Sequence, residues 1–182
     1  MKHVRQQLLP FERLTREPEQ SFFGYYDLQP WSGDGRFHLC QRVDFRDRMP
    51  TGADPAELGM IQMAGDQRFI PLARSYAWNF QQGAMLQWHP LHSSDEVIFN
   101  TRIGGEFKAV IRNVWSGEER LLSRAVASVD PQGRWALSVN FSRMYDFRPG
   151  YGYAGITDPF FDEKQPEDDG VFLIDLEDGS SR

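Results

Sequence analysis

Planar hydrogen-bonding side chains and tyrosines crowd a few stretches of this chain. Asp27, Asn79, Gln81 and Gln82 offer carboxylate and amide groups, and Arg102, Arg143 and Arg148 offer guanidinium groups. Tyr25, Tyr26, Tyr145, Tyr151 and Tyr153 add flat faces that end in a hydroxyl. An arginine meets a carboxylate through two parallel bonds. Amides orient hydroxyls, and aromatic rings cover apolar surface. That chemistry suits a sugar or a sugar acid. The same groups are equally suited to satisfy loop backbone and brace neighbouring elements, and both readings stand at this point. The ligand-binding set is Asp27, Asn79, Gln81, Gln82, Arg102, Arg143, Arg148, Tyr151 and Tyr153. No residue is assigned a catalytic role.

Other chemistries find less support. His89 and His92 lie three apart beside Gln87, but two histidines need a third ligand from elsewhere to hold a metal. They are read as turn or surface residues, and no metal ligand is assigned. Asp158, Asp162 and Glu163 cluster, followed by Glu167, Asp168 and Asp169, as a solvated acidic loop usually does. Paired-carboxylate catalysis needs two such groups facing each other, which sequence cannot place. No Gly-x-Ser-x-Gly nucleophile motif is present. Gly104-Gly105-Glu106-Phe107 spells most of a cyclic-dinucleotide synthase signature, yet Gly-Gly between two strands is hairpin chemistry. Gly150 to Gly155 lacks the strand–turn–helix setting of a phosphate cradle. Asn140-Phe141-Ser142 matches a glycosylation sequon, which matters only in a secreted eukaryotic protein. Cys40, the lone cysteine, reads as a small buried hydrophobe.

Composition sets outer limits. With 40% hydrophobic residues the chain is globular rather than disordered. Its five Trp and fourteen Phe favour a sheet-rich core, where aromatics pack on pleated surfaces. A net charge of -6, with no basic stripe, argues against nucleic acid as a partner. No run approaches the ~20 apolar residues of a membrane span. Met1 to Gln20 holds no apolar stretch of signal-peptide length, so a cytoplasmic location is expected.

The elements that must position these residues are strands joined by repeated turns. Val114 to Leu122 and Met63 to Ile70 each read as strand, glycine turn, strand. Leu176 to Arg182 begins the same pattern and stops where the next strand is due. A second turn recurs at Trp31 to Phe37 and at Val129 to Trp135, with Trp88 to Val97 between them. There Asp and Pro preset the bend and Gly supplies positive φ. Trp135 to Phe141 then alternates as a strand, and no long stretch keeps a helical period. In register, the signals define a segment 1–20 and three units, 21–74, 75–124 and 125–182, the last unfinished. The fold class is all-β: a partial β-propeller of about three four-stranded antiparallel blades, part of a larger one.

Trp31-Ser32-Gly33-Asp34-Gly35-Arg36 and Asp130-Pro131-Gln132-Gly133-Arg134-Trp135 resemble the turn repeats of WD-repeat-like bacterial propellers. That group includes the Tol-system propeller and oligogalacturonate lyase. Phe23 to Asp27, Trp78 to Met85 and Arg148 to Gly155 are similar to a poorly characterised subgroup of it. The resemblance covers nearly the whole chain and implies a propeller of six to eight blades, ~4–8 being general. The lyase holds a metal with His and Gln. Its ligands would lie in blades beyond this chain and none is carried over to the histidines here, so no cofactor is predicted, and the missing blades leave room for a divalent metal.

In such a fold the long connections 44–58, 74–86 and 142–170 emerge on one face, where long ordered loops usually carry function. The expectation is a propeller that binds a polar small ligand there, a sugar or sugar acid, carbohydrate-active only together with the missing blades. The alternative is a non-catalytic scaffold for a protein partner, marked by an exposed apolar patch. Neither nucleic acid nor membrane is expected as a partner, whereas the remaining blades of the same propeller are.

Overall fold

The computed structural model describes residues 10–15 and 18–182. Three antiparallel sheets follow one another along the chain. The first contains β1 (Gln20–Phe22), β2 (Phe37–Val43), β3 (Ala56–Gln62) and β4 (Phe69–Ser75), hydrogen-bonded in that order. The second contains β5 (Gln87–Trp88), β6 (Glu96–Ile103), β7 (Glu106–Asn113) and β8 (Glu119–Leu121), again in order. The third contains β9 (Ser128–Val129), β10 (Trp135–Ser138) and β11 (Phe172–Asp175). Each sheet is a meander and none closes on itself, which makes the fold a partial β-propeller.

Local turn chemistry explains why the strands reverse where they do. At the β7–β8 turn, Gly117 N–H bonds to Asn113 O at 3.0 Å, and Asn113 Oδ1 accepts from the Trp115 and Ser116 amides at 2.9 Å. After β11, Gly179 N–H bonds to Asp175 O at 2.9 Å and Asp175 Oδ1 accepts from Glu177 N–H at 2.8 Å. Both glycines sit at positive φ, 77° and 78°, which a side chain would resist. Residues 180–182 then pair back onto β11, with Leu173 and Arg182 exchanging two bonds of 2.9 Å. The β6–β7 connection is Gly104-Gly105 with both φ positive, the two-residue hairpin that matches strand twist.

The turns that lead into β2, β6 and β10 share one frame. Ser32 N–H bonds to Phe37 O at 2.9 Å, His89 N–H to Glu96 O at 2.9 Å and Asp130 N–H to Trp135 O at 2.8 Å. In each, the opening side chain accepts an amide: Ser32 Oγ from Phe37, His89 Nδ1 from Leu91, Asp130 Oδ1 from Gln132. His89 therefore fills the position that Ser or Asp usually takes at a turn.

The sheets stack face to face. Phe37, Leu39, Leu58 and Met60 of the first meet Val97, Phe99 and Val110 of the second. Ile98, Ala109 and Ile111 point the other way, onto Ala136 and Ile174 of the third. The second sheet is thus covered on both faces, which is why β6 reads as the unbroken apolar run Val97-Ile98-Phe99. Fully burying each such side chain contributes about 1.5–3 kcal/mol.

One element departs from the sequence reading. Strand β10 ends at Ser138, and Phe141–Phe147 forms a short helix, α1, in place of continued strand. Asn140 caps it, its Oδ1 accepting from Arg143 N–H at 3.0 Å. Phe141 leaves the sheet to stack on Tyr153, with ring centroids 4.3 Å apart and planes 7° from parallel. That pairing outweighs the alternation that favours strand.

Candidate functional site

The connections 44–55, 76–86 and 139–171 leave the sheets at the same end as the tight Gly104-Gly105 hairpin. Loops of the first and third sheets converge above the second. Arg102, at the end of β6, donates to Gly52 O at 2.7 Å and to Gly155 O at 3.4 Å. Asn79 donates to Gly152 O at 2.9 Å and accepts from Gln82 N–H at 2.7 Å. Arg143 ties the acidic loop to α1: it bonds to the Asp158 carboxylate at 2.9 Å, to Phe160 O at 2.8 Å and to Glu163 O at 2.6 Å. Tyr153 is fully buried and its hydroxyl accepts from Asn100 Nδ2 at 2.8 Å. Burial drives the Tyr153 hydroxyl pKa upward. The groups of Asn79, Arg102, Arg143 and Tyr153 all meet partners within the chain.

A second group faces outward. Tyr25 and Tyr26 lie with ring centroids 4.3 Å apart and hydroxyls 3.2 Å apart. Tyr151, from the far loop, sets its ring edge-on to Tyr25 at 6.5 Å. The hydrogen bond to Tyr26, followed by that to Tyr151, raises the Tyr25 pKa. Arg148 lies over the Tyr151 ring at 4.4 Å. Among the described residues Arg148 makes no side-chain hydrogen bond or ion pair. Tyr26 is 84% exposed, so the cluster is open to a ligand.

Tyr25 and Asp27 stand at one end of a cleft of about 520 Å³. Its wall is formed by the segment ahead of β2, by β5 and by β9, with Trp31, Gln82 and Trp88 among the lining residues. Gln82 Oε1 is buried and has no hydrogen-bond partner among the described residues. Gln81 is exposed and lies outside this cleft. Of the residues chosen from sequence, the structure brings Asp27 and Gln82 to the cleft and Tyr151 with Arg148 to the tyrosine cluster. It separates Arg102 and Arg143 from both. Tyr25 and Tyr26, which lie outside the ligand-binding set expected from sequence, are central to the cluster.

The opposite end, where the turns lie, carries an arrangement that sequence spacing did not reveal. His89, His92 and Glu96 each present a ligand atom, all within 4.8 Å of one another. His89 is 4% exposed, and burial, then the charges of His92 and Arg120, lower its pKa to about 4. Beside them runs a cleft of about 490 Å³ between the second and third sheets. Glu96 was the missing signal: it lies four residues past His92 across a bend, where Glu96 N–H bonds to His92 O at 2.9 Å.

No family model and no curated relative matches the chain. Several solved structures are similar to it, two of them as follows. One is the AtxE2 isopeptidase in its apo form, at 13% identity and a TM-score of 0.44, covering 90% of this chain and 29% of that one. The other is TolB from Acinetobacter baumannii, at 12% identity and a TM-score of 0.42, covering 93% and 44%. The chain spans less than half the length of either. Likenesses this distant say nothing of activity. Among the described residues no helix is long and apolar enough to cross a membrane.

Proposed function

We propose that the chain binds a polar small ligand, an acidic sugar in particular, at the Tyr25–Tyr26–Tyr151 cluster and the cleft beside it. One observation carries the reading: tyrosines from two distant loops meet beside Arg148, a guanidinium with no bonding partner among the described residues. The exposed Tyr26 ring, tilted 32° to Tyr25, offers a face to a sugar ring, and Arg148 offers a fork to its carboxylate. A cleft of about 520 Å³ lies within the usual range for small-molecule sites.

Calorimetric titration with acidic and neutral oligosaccharides tests this. Saturable binding of the acidic one is expected, weakened about tenfold or more by Tyr151→Ala and by Arg148→Ala. A neutral analogue is expected to respond to the first substitution and not the second. Absence of saturable binding by either sugar overturns the proposal.

A second reading, a scaffold for other protein surface, has its own support. On the face of the third sheet turned away from the second, Leu137 is 43% exposed and stands opposite Leu173. Val171, just before β11, is 68% exposed. Existing sheets pack through such faces, so the occupant that fits is another antiparallel sheet of the same kind. That is the role the remaining blades of a larger propeller would fill.

A further inference from the structure

We infer that His89, His92 and Glu96 form a binding site for a divalent transition metal at the turn end of the second sheet. Two imidazoles and a carboxylate are a nitrogen-rich set that favours zinc or its neighbours over magnesium or calcium. Their ligand atoms lie within 4.8 Å of one another. In a tetrahedral zinc site with bonds of about 2.0–2.1 Å, ligands are about 3.3 Å apart. Metal binding requires rotation of His92 and Glu96, which are less enclosed than His89, to close that difference.

The fold prepares the site in two ways. His89 is held: its turn packs under the third sheet, where a β-carbon on Gly133 would stand 3.2 Å from His89 Cε1 and 2.8 Å from Leu91 Cγ. The single-turn bend from His92 to Glu96 puts residues four apart on one side, the spacing that brings side chains together. All three side chains line the cleft of about 490 Å³, where Arg120, Arg134 and Trp135 also lie.

Binding has a defined cost. His89 Nδ1 accepts Leu91 N–H at 3.2 Å, so the neutral ring carries its hydrogen on Nε2. A metal on Nδ1 displaces that bond directly. A metal on Nε2 requires the hydrogen to move to Nδ1, which also leaves the Leu91 amide without its acceptor. One neutral hydrogen bond lost lowers affinity by about tenfold. The Leu91 amide resonance is therefore a reporter of occupancy.

Zinc chloride titrated into the whole chain should bind at one ion per chain and shift the Leu91 amide. His92→Ala and Glu96→Gln, both at accessible side chains, should each weaken binding by about tenfold or more, while melting stays unchanged. Cobalt should give the intense visible bands of a four-coordinate ion in the parent and not in His92→Ala. His3→Ala should have no effect. Absence of saturable uptake, uptake untouched by His92→Ala, or uptake abolished by His3→Ala overturns the proposal.

Discussion

Gly52 and Gly155 touch across the top of the second sheet, so closely that a β-carbon on Gly52 would stand 2.5 Å from Gly155 Cα. The two residues belong to loops of the first and third sheets, and Arg102 of the second holds both carbonyls. One side chain thus joins all three sheets. Contact at this distance is open only to glycine, and Gly155 also adopts φ 96°.

Arg102→Ala is expected to release this clasp. The 2.7 Å bond to Gly52 O is worth about 1.5–3 kcal/mol before solvent replaces part of that, and the exposed 3.4 Å contact to Gly155 O adds less. Hydrogen exchange should quicken in residues 50–55 and 150–156, and the strands of the first sheet should stay protected. Uniform loss of protection throughout the chain would show that Arg102 has a wider role. Gly155→Ala is expected to disturb the same residues, because its β-carbon would press on Gly52 Cα at 2.7 Å.

Asn100 is a fully buried polar group. Its Nδ2 donates to Val126 O and to the Tyr153 hydroxyl at 2.8 Å, and its Oδ1 accepts Val126 N–H at 2.8 Å. Asn100→Ala strands both Val126 backbone groups in a buried setting and should cost about 3–5 kcal/mol. Tyr153→Phe keeps the ring stack on Phe141 and leaves Asn100 bonded to Val126, so it should cost about 1 kcal/mol. Urea unfolding of the two variants distinguishes these values, and equal losses would refute the ranking.

Acid should weaken the fold through His89. Its folded pKa is about 4, below the ordinary 6.5, so the unfolded chain takes up the proton first. Stability is therefore full above pH 6.5 and falls as pH drops towards 4, by on the order of 2 kcal/mol. His89→Asn keeps a turn-capping acceptor like that of Asp130 and removes the titration, so its melting temperature should change less across that window. A parent and variant with identical pH profiles would contradict this assignment.

Leu137→Glu tests the outward face of the third sheet. Leu137 is 43% exposed, so the substitution should leave the melting temperature within a few degrees. It should reduce self-association in light scattering, since it breaks an exposed apolar face. A large loss of stability would show that the face is already covered within this chain.

How far the sequence was legible depended on the range of the interaction. Glycine turns such as Asn113–Gly117 and Asp175–Gly179 are closed by bonds between residues four apart, so their letters suffice to name them. The strands between them follow from alternation on a pleated surface, and three antiparallel meanders follow from the repeat. The end of β10 was not legible, because Phe141 turns away to meet Tyr153, a partner supplied by another part of the chain.

The polar loop residues needed the whole molecule. Asn79 looks like a ligand-binding amide in sequence, yet the carbonyl it bonds to lies 73 residues further on. Arg102 finds its two carbonyls 50 and 53 residues away, on opposite sides. Sequence by itself determined the turns and most of the strands, because short-range hydrogen bonds and apolar periodicity act locally. Tertiary structure decided which amides and guanidiniums brace loops and which, like Arg148 beside Tyr151, stay open, because that depends on what long-range packing brings within 3–4 Å.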